Sequence, residues 1–403
     1  MKKALCSYMK RIISNVKTCL RVALATLVYV VCTLNLVAQE RVITTGVPFL
    51  LITPDARGAA MGEQGVATSV DSFSQQWNPA KYVFSEQKSG FGVSYTPYLS
   101  KLVNDIFLAN ITYFNKNTDR SAWAVSLKYF SLGDIVLNDL VAGTIIEQGI
   151  ERPNELTLDL SYALLLNTKY SMAVAARFIR SDLKISSDLD ATSANTLGID
   201  IAGFYRSDLF DFRDKKARLR LGFNVSNIGP RLKYDEGGQK NFIPTNLKLG
   251  YGLNIHLDSD NKISFNIEFN KLLVPSPVAV INENTGAIDR YQQPDISFLS
   301  GIFESFNDAP DGLSEELKEI TWGFGSEYNF QDAFALRGGY FHESIEKGSR
   351  KYFTLGAGFS LNFATIDISY LFSTSKVRNP LENTLRFSMT FDLAKAPVTE
   401  AEE

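Results

Sequence analysis

Long segments in which apolar and polar residues alternate with a period of two constrain this chain more than any other feature. Residues 384–391 place every apolar side chain on one face and every polar side chain on the other, and residues 218–226 repeat the pattern. Successive side chains of a β-strand point to opposite faces, so this period predicts strands. About fourteen such segments have roughly 9 to 13 residues each, whereas strands of soluble proteins usually have about 5 or 6. They begin near Gly90, Asp105, Ser121, Glu155, Tyr170, Asn195, Ala217, Asn246, Lys262, Ile320, Ala333, Lys351, Thr365 and Asn383.

An even number of long, amphipathic, antiparallel strands is typical of a transmembrane β-barrel, with its apolar face toward lipid and its polar face toward the lumen. In lipid, only a closed barrel leaves no strand edge unpaired. The alternative is a soluble β-sandwich with a core of Tyr and Phe, since its strands also alternate. The length and number of the segments favour an all-β fold, a transmembrane antiparallel β-barrel of about 14 strands over residues 87–393.

Charge and composition exclude several classes of function. The net charge is −3, and six basic residues but no acidic ones lie in the first 38 positions, so the remainder is more acidic still. An acidic body without a basic patch argues against nucleic acid as a partner. Hydrophobic residues make up 45% of the chain and charged residues 21%, which is too apolar for a disordered protein.

The first 38 residues have the pattern of a signal peptide for export. A basic stretch, in which Met9 is an alternative start, precedes an apolar run that ends at Ala38. The run is short for a membrane-spanning helix and has the length of a signal-peptide core. The alternatives are a retained anchor and a lipid-attached Cys32, although the bulky Val31 before that cysteine disfavours lipidation. All three cysteines would leave with the signal, so the exported chain is expected to have no disulfides.

The connections between the predicted strands alternate in length. If the N-terminus is periplasmic, five of the even-numbered strands end in tight turns, while the connections after odd-numbered strands are mostly longer. Short periplasmic turns and long outer loops are typical of outer-membrane barrels. Residues 207–216 are the exception, a longer connection on the short side. We therefore expect a protein of the Gram-negative outer membrane with both mature termini in the periplasm.

Aromatic residues are expected to gather where strands leave the hydrocarbon of a membrane. Ten of them fall at predicted strand ends: Tyr95, Tyr98, Tyr113, Phe114, Tyr129, Phe130, Tyr340, Phe341, Phe363 and Phe391. The last strand is followed by an acidic stretch, residues 394–403, which we expect to be a flexible tail.

Patterns that would indicate catalysis or a metal site are weak. His256 and His342 lie on different predicted strands, so we expect lumen or rim residues rather than metal ligands. Residues 258–262 begin like a calcium loop, but Lys262 occupies a ligand position. Pairs of glycines inside strands lack the third glycine of a dinucleotide loop and indicate close backbone approach or barrel curvature. The sequence predicts no catalytic residue, no cofactor and no metal, and a protein that is not an enzyme.

A segment of a different kind, residues 39–86, lies between the signal and the first predicted strand. Small residues of the kind enriched here permit close packing inside a lumen, and an Asn-Pro pair favours a turn. We expect a hatch that closes the barrel from the periplasmic side; the alternative is a loose tether, which would not need a tryptophan or so low a charge. The residues assigned to this hatch are Gly58, Gly62, Gly65, Trp77, Asn78, Pro79 and Ala80.

Several blocks of this sequence resemble known outer-membrane proteins. The stretch that closes on Trp77-Asn78-Pro79-Ala80 resembles the N-terminal hatch of the FadL-type transporters of hydrophobic compounds, which are fourteen-stranded barrels. A more specific resemblance, over the whole mature chain, is to the PorV family of the type IX secretion system. It rests on residues 44–50, 54–58, 94–99, 103–106, 126–133, 177–183 and 244–248.

The resemblance implies a carrier without enzymatic activity. Such a carrier receives cargo at the translocon channel through the cargo's C-terminal signal domain and brings it to the cell-surface attachment complex. These proteins and the outer-membrane lipid are the implied partners. The alternative is a FadL-like channel for uptake of hydrophobic small molecules, which needs a continuous apolar path. The predicted inward face instead carries charged residues that we expect to pair with one another: Arg218, Arg220, Lys248, Asp159, Asp367, Glu268, Glu327 and Arg386.

The long connection between the ninth and tenth strands is predicted to be a partly helical outer loop. Asp295 is the expected N-cap of a first helix, in which Leu299, Phe303 and Phe306 recur at helical spacing. A second short helix is expected after Gly312, with leucines on one face and glutamates on the other. The apolar stripe either caps the mouth of the barrel, or Leu299, Phe303 and Phe306 dock a partner.

Overall fold

Fourteen long strands, each hydrogen-bonded to the next along the sequence, close into an antiparallel barrel. The computed structural model describes residues 42–100, 103–141, 144–184, 192–235, 237–282, 286–361, 363–375, 382 and 384–395. The expected signal peptide and most of the expected acidic tail lie outside these residues. In the described part of the chain, no helix is long and apolar enough to cross a membrane.

The strands match the segments predicted from the alternation, and each begins within three residues of its predicted start. The barrel strands are β1 (Gln87–Pro97), β2 (Ile106–Thr118), β3 (Ser121–Leu132), β4 (Asn154–Leu165), β5 (Tyr170–Asp182), β6 (Ala194–Arg206), β7 (Lys215–Ile228), β8 (Asn246–His256), β9 (Asn261–Leu272), β10 (Thr321–Phe330), β11 (Phe334–His342), β12 (Lys351–Leu361), β13 (Ala364–Ser373) and β14 (Leu385–Lys395).

The first and last strands close the barrel. Phe91 of β1 lies opposite Phe391 of β14 on one side and opposite Tyr113 of β2 on the other. Because every barrel strand has two neighbours, no long edge is left to pair with another chain.

The two faces of the barrel wall differ as the period of two predicts. In β4, Leu158 and Leu160 are exposed on the outer face, while the side chain of Asp159 between them is fully buried. In the same way Phe387 points outward and Ser388 points into the lumen. A wall of exposed apolar residues around a polar interior is the arrangement that a lipid bilayer requires.

The two ends of the barrel carry connections of different length, and we call them the turn end and the loop end. At the turn end, β2 and β3 are separated by two residues, and β8 and β9 by four. The exceptional connection, residues 207–216, includes a short strand, Phe210–Phe212, that pairs with the start of β7. Arg213 and Asp214 between them both have positive φ, 47° and 63°, which fits a two-residue hairpin turn. This connection is therefore also a tight turn, placed beyond the end of the wall.

Residues 42–86, which we call the lumen segment, contain only short helical turns. They are a 3-10 helix at Pro48–Leu51, α1 (Ala56–Ala60), α2 (Ser74–Trp77) and a 3-10 helix at Pro79–Phe84. Most of these residues are buried, although the segment contributes no strand to the wall. The lumen segment is buried because the inner face of the barrel surrounds it.

The loop end carries the long connections. It includes two hairpins (Ile135–Val141 with Thr144–Glu151, and Val278–Ile281 with Ile288–Gln292), α3 (Phe298–Glu304), α4 (Leu313–Lys318) and a 3-10 helix at Ile345–Lys347. The expected N-cap of α3 was wrong. Ser297, not Asp295, caps this helix through its Oγ, which accepts a hydrogen bond from the Ser300 N–H at 3.1 Å. Asp295 instead pairs with Arg231 at 2.8 Å.

Four of the ten aromatic residues expected at the membrane boundary face the lumen instead, among them Tyr98, which packs edge-on against Phe130. Phe114, Phe130 and Phe341 are all at least nine-tenths buried. Phe114 stacks on Tyr82 of the lumen segment, and Phe130 stacks on Phe49 of the same segment. Neighbouring residues in a strand cannot both point outward, so the prediction was wrong for one residue of each adjacent pair.

Candidate functional site

Trp77 is the centre of the lumen segment. Its indole ring lies against Gly58 and Gly65, where an added Cβ would come within 2.7 Å and 2.1 Å of ring atoms. The indole N–H donates to a carboxylate oxygen of Asp55 at 2.7 Å. The Lys248 ammonium of the wall lies 4.5 Å from the centre of the ring. Small residues at two positions of the lumen segment thus create the space that the tryptophan fills.

Asn78 joins the lumen segment to the wall. Its amide nitrogen donates to the carbonyl oxygens of Val66 and Gly203, each at 3.0 Å. Its side-chain oxygen accepts from the Ala80 N–H at 3.1 Å, which caps the short helix that begins at Pro79. The three residues of the predicted Asn-Pro-Ala block therefore act as one turn that is tied to β6.

The backbone of residues 60–67 lies directly on glycines of the inner wall. A Cβ added at Gly339 would lie 2.2 Å from the Gly62 nitrogen, so no larger residue fits at this contact without movement. Gly62 itself has a φ of 76°, which favours glycine, and its N–H donates to Thr354 Oγ1 at 3.0 Å. The inward glycines that contact residues 60–67 are Gly222, Gly250, Gly252, Gly323, Gly325, Gly339 and Gly356, the last through the Ala60 side chain. For the glycine pairs within strands the sequence indicated close approach or curvature; at Gly250, Gly252, Gly323, Gly325 and Gly356 the structure shows close approach.

Ion pairs tie the lumen segment to one side of the wall. Arg57 of α1 donates to Glu327 at 2.9 Å and to Asp71 at 2.6 Å. Arg337 then links Glu327 to Asp367, with a distance of 2.6 Å to each carboxylate. Removing one member would leave a buried charge uncompensated, which makes such networks costly to break.

The expected pairing of lumen charges holds for some residues and fails for others. Asp159 pairs with Arg177, and Arg386 pairs with Glu63 at 3.1 Å. Glu268 accepts two backbone N–H groups, those of Gly65 and Val66, both at 2.9 Å, and has no cation as partner among the described residues. The exceptions on the cationic side are Arg218, Arg220 and Lys248, which have no carboxylate within 4.0 Å in the described part of the chain.

The helix α4 at the loop end buries its acidic face. Glu315 and Glu319 accept hydrogen bonds from the Lys347 ammonium at 2.7 and 3.0 Å. Lys271 at the end of β9 donates to Glu316 at 2.8 Å and to Glu319 at 2.7 Å. Leucines and glutamates lie on opposite faces, as the spacing predicts, and two lysines from distant parts of the chain supply partners for the acidic face.

Five large apolar side chains in or next to the two loop-end helices are exposed. Their relative exposures are 52% for Leu299, 76% for Phe303, 50% for Phe306, 75% for Leu313 and 60% for Leu317. These five residues, which we call the loop-end apolar surface, do not cap the mouth of the barrel. Large exposed apolar side chains grouped at one end of the barrel indicate an interaction surface.

One group of carboxylates among the described residues has the spacing of a metal site, namely Asp308, Glu316 and Glu319. Lys271 donates to two of the three, so an ammonium group already occupies the position where a cation would compensate their charge. His256 and His342 are not part of this group.

Comparison with known proteins identifies a family. The sequence profile described as "Type IX secretion system protein PorV" matches residues 35–279. No curated protein matches this chain in sequence. Among solved structures, the Pseudomonas putida toluene transporter TodX aligns with a TM-score of 0.50 and 12% identity, over 86% of this chain and 100% of that chain. The Ralstonia pickettii toluene transporter TbuX aligns with a TM-score of 0.46 and 12% identity, over 85% and 97%. At an identity of 12%, the likeness to TodX shows a shared barrel fold.

Proposed function

Because this chain belongs to the PorV family of the type IX secretion system, we propose that it binds exported cargo through the cargo's C-terminal signal domain at the translocon and delivers it to the cell-surface attachment complex. Family and fold together make it an outer-membrane β-barrel component of that system, and both are non-enzymatic in kind. The finer role, cargo binding and delivery, depends on surfaces that a partner protein can reach.

The loop-end apolar surface is the observation that carries the proposal. Leu299, Phe303 and Phe306 are exposed, while the acidic face of the adjacent α4 is anchored by Lys271 and Lys347. A rigid, outward-facing group of aromatic and aliphatic side chains is the kind of surface on which interface energy concentrates. We propose that these three residues dock a protein partner of the secretion machinery.

The proposed orientation puts this surface outside the cell. Short connections lie at the turn end and long connections at the loop end, as in outer-membrane barrels with periplasmic turns. Both ends of the exported chain would then be periplasmic.

The proposed role of the lumen segment is that of a hatch. Its backbone lies on the wall glycines. Its own side chains, Arg57, Trp77 and Asn78, hold it in place through packing and hydrogen bonds. Such contacts favour a lumen that stays closed while cargo is handled at the loops. The alternative, an uptake channel for hydrophobic small molecules, needs a continuous apolar path. The buried ion pairs around Glu327 and Asp159 are unfavourable for such a path.

Co-purification with partners tests the proposal. The double variant Phe303→Ala/Phe306→Ala, isolated in mild detergent, is expected to lose secretion partners while its barrel still runs faster on gels unheated than boiled. The matched control is Phe330→Ala/Phe363→Ala, which removes two exposed phenylalanines at the turn end. Retention of every partner by the first variant, or equal loss from both, would contradict docking at the loop-end apolar surface.

A further inference from the structure

A polar cavity of about 440 Å³ lies inside the barrel near the turn end. Its wall includes the inner faces of β6, β7 and β8, and the lumen segment closes it on the side of Arg57 and Ser72. None of the contacts that hold the lumen segment explains why this space is polar on the side of β6 and β7.

Three arginines face this cavity from adjacent positions of two strands. Arg220 of β7 lies directly opposite Arg206 of β6, and Arg218 follows on the same face of β7. Among the described residues, no carboxylate lies within 4.0 Å of any of the three. Like charges directly opposite each other across two strands destabilise the pair, so this arrangement needs a compensating group.

Arg220 is buried, and some of its guanidinium N–H donors have no hydrogen-bond partner. Its exposure is 3%, and its Nε and Nη1 have no hydrogen-bond partner within the described chain. Only Nη2 has one, the side-chain oxygen of Asn266 at 3.3 Å. The Nε of Arg218 is likewise buried without a partner. A buried guanidinium with unmade hydrogen bonds is costly, which makes each such group a feature that demands an explanation.

The acidic residues around the same cavity do not supply the missing charge. Asp71 and Glu327 are paired with Arg57, Asp367 with Arg337, and Asp332 with Lys262. Two more acids that line it, Glu86 and Asp392, are exposed at its rim. The cationic and anionic groups are therefore segregated, and the β6–β7 side is left positive.

We propose that Arg206, Arg218 and Arg220 form an anion site that binds a phosphate group. The planar guanidinium presents paired N–H donors that match two oxygens of a phosphate, and several such groups can surround one tetrahedral anion. Asn254, opposite Arg218 on β8, has a buried side-chain oxygen without a partner. Turning this amide by half a turn places an N–H₂ donor there. Inorganic phosphate and the phosphate headgroup of a lipid share this chemistry, and the site does not depend on the role in secretion.

The test measures thermal unfolding of the intact chain in maltoside detergent while inorganic phosphate replaces chloride at constant ionic strength. We expect the unfolding temperature to rise with phosphate. The variant Arg220→Gln is expected to lose this rise and to unfold at a higher temperature than the native chain without phosphate, since one of the opposed charges is gone. The control Arg152→Gln changes an exposed arginine paired with Asp134 and should keep the full response. A native chain that responds no differently to phosphate and chloride, or an Arg220→Gln variant that responds like the native chain, would overturn the proposal.

A second variant and vesicles of two lipid compositions complete the test. Should Arg220→Gln fail to fold, Arg218→Gln is expected to bind inorganic phosphate at least tenfold more weakly by calorimetry, and unchanged binding would reject the site. In phosphate-free glycolipid vesicles, stabilisation by added inorganic phosphate would identify a soluble anion. In phosphatidylglycerol vesicles without inorganic phosphate, stabilisation that disappears in the variant would identify a lipid headgroup. Stabilisation in neither membrane would reject phosphate as the ligand.

Discussion

Replacing Trp77 by alanine tests whether the lumen segment is held in the barrel by its own packing. Trp77 is 4% exposed, fills the space left by Gly58 and Gly65, and donates a hydrogen bond to Asp55. Truncation of a buried Trp to Ala usually costs about 3–5 kcal/mol. Loss of the hydrogen bond to a buried carboxylate acts in the same direction. A central value of about 4 kcal/mol corresponds to roughly a thousandfold increase in the fraction of undocked segment.

The strands should survive this change, because Trp77 lies outside the hydrogen-bonded wall. Trypsin reports on undocking, since Lys81 is buried in the native chain and the Arg57 side chain is only 12% exposed, so both should become cleavable when the segment leaves the wall. When opening and closing are fast relative to cleavage, the cleavage rate follows the open population, so it should rise by up to the same factor. Conductance in planar bilayers should rise in parallel if the segment is a hatch.

The control is Trp123→Ala, which removes a tryptophan that packs on Tyr113 in the wall, outside the lumen segment. It should change neither the cleavage rate at residues 57 and 81 nor the conductance. An unchanged cleavage rate in Trp77→Ala would refute the idea that tryptophan packing docks the segment. Loss of the heat-modifiable barrel in Trp77→Ala would instead show that segment and wall unfold as one unit.

Three further predictions follow from the same contacts. Gly339→Val should release the lumen segment to trypsin, because a Cβ there meets the Gly62 nitrogen, whereas Gly338→Val faces the outer side and should not. Leu221→Arg on the lipid face should cost roughly 2–4 kcal/mol near the midplane in reversible unfolding from vesicles, and Leu221→Ala, which adds no charge, should cost less. A spin label at Ser314→Cys should be immobile between about pH 5 and pH 10 and mobile below about pH 4. Burial raises the pKa of Glu316, but the hydrogen bond and charge of Lys271, together with the backbone N–H donors of Asp308 and Ala309, lower it on balance. The ionised Glu316 therefore stabilises α4 above the ordinary pKa of a glutamate, and this contribution is lost as the pH falls. Burial lowers the pKa of Lys347, yet the bonded carboxylates of Glu315 and Glu319 raise it on balance, so its contribution is lost only at alkaline pH. A label equally immobile at pH 3.5 would contradict this.

The wall of the barrel could be predicted from the sequence because its signal is local. A strand half in contact with lipid and half with a polar lumen must alternate, and residues such as Leu158, Asp159 and Leu160 show that rule directly. The turns followed from polar residues between strands. The exception at residues 207–216 needed φ values to show that it too is a tight turn.

The inner contacts could be predicted only in part. The glycines and the single tryptophan of residues 58–77 indicated close packing, but nothing local assigns Gly339 or Gly222 to a contact with the segment. Whether an inward glycine serves barrel curvature or close approach depends on whether the lumen segment lies opposite it. The register of five strands decides that placement. The pairing of Arg57 with Glu327 joins residues 270 positions apart, and no spacing rule reaches that far.

The orientation of α4 also depends on residues distant in sequence, and this orientation matters for the proposed function. Its sequence establishes that leucines and glutamates lie on opposite faces, but amphipathicity alone does not say which face is buried. A glutamate face turns inward only if cations are there to meet it, and Lys271 and Lys347 come from the end of β9 and from a different loop. Because the acidic face of α4 is buried, its opposite face, with Leu313 and Leu317, is exposed. The exposure of Leu313 and Leu317, the α4 part of the loop-end apolar surface, is thus a consequence of the buried ion pairs. A Lys347→Met variant should disturb partner binding without altering any residue on that surface. Normal partner binding by this variant, when its spin label at Ser314→Cys shows that α4 has become mobile, would contradict the connection between the ion pairs and docking.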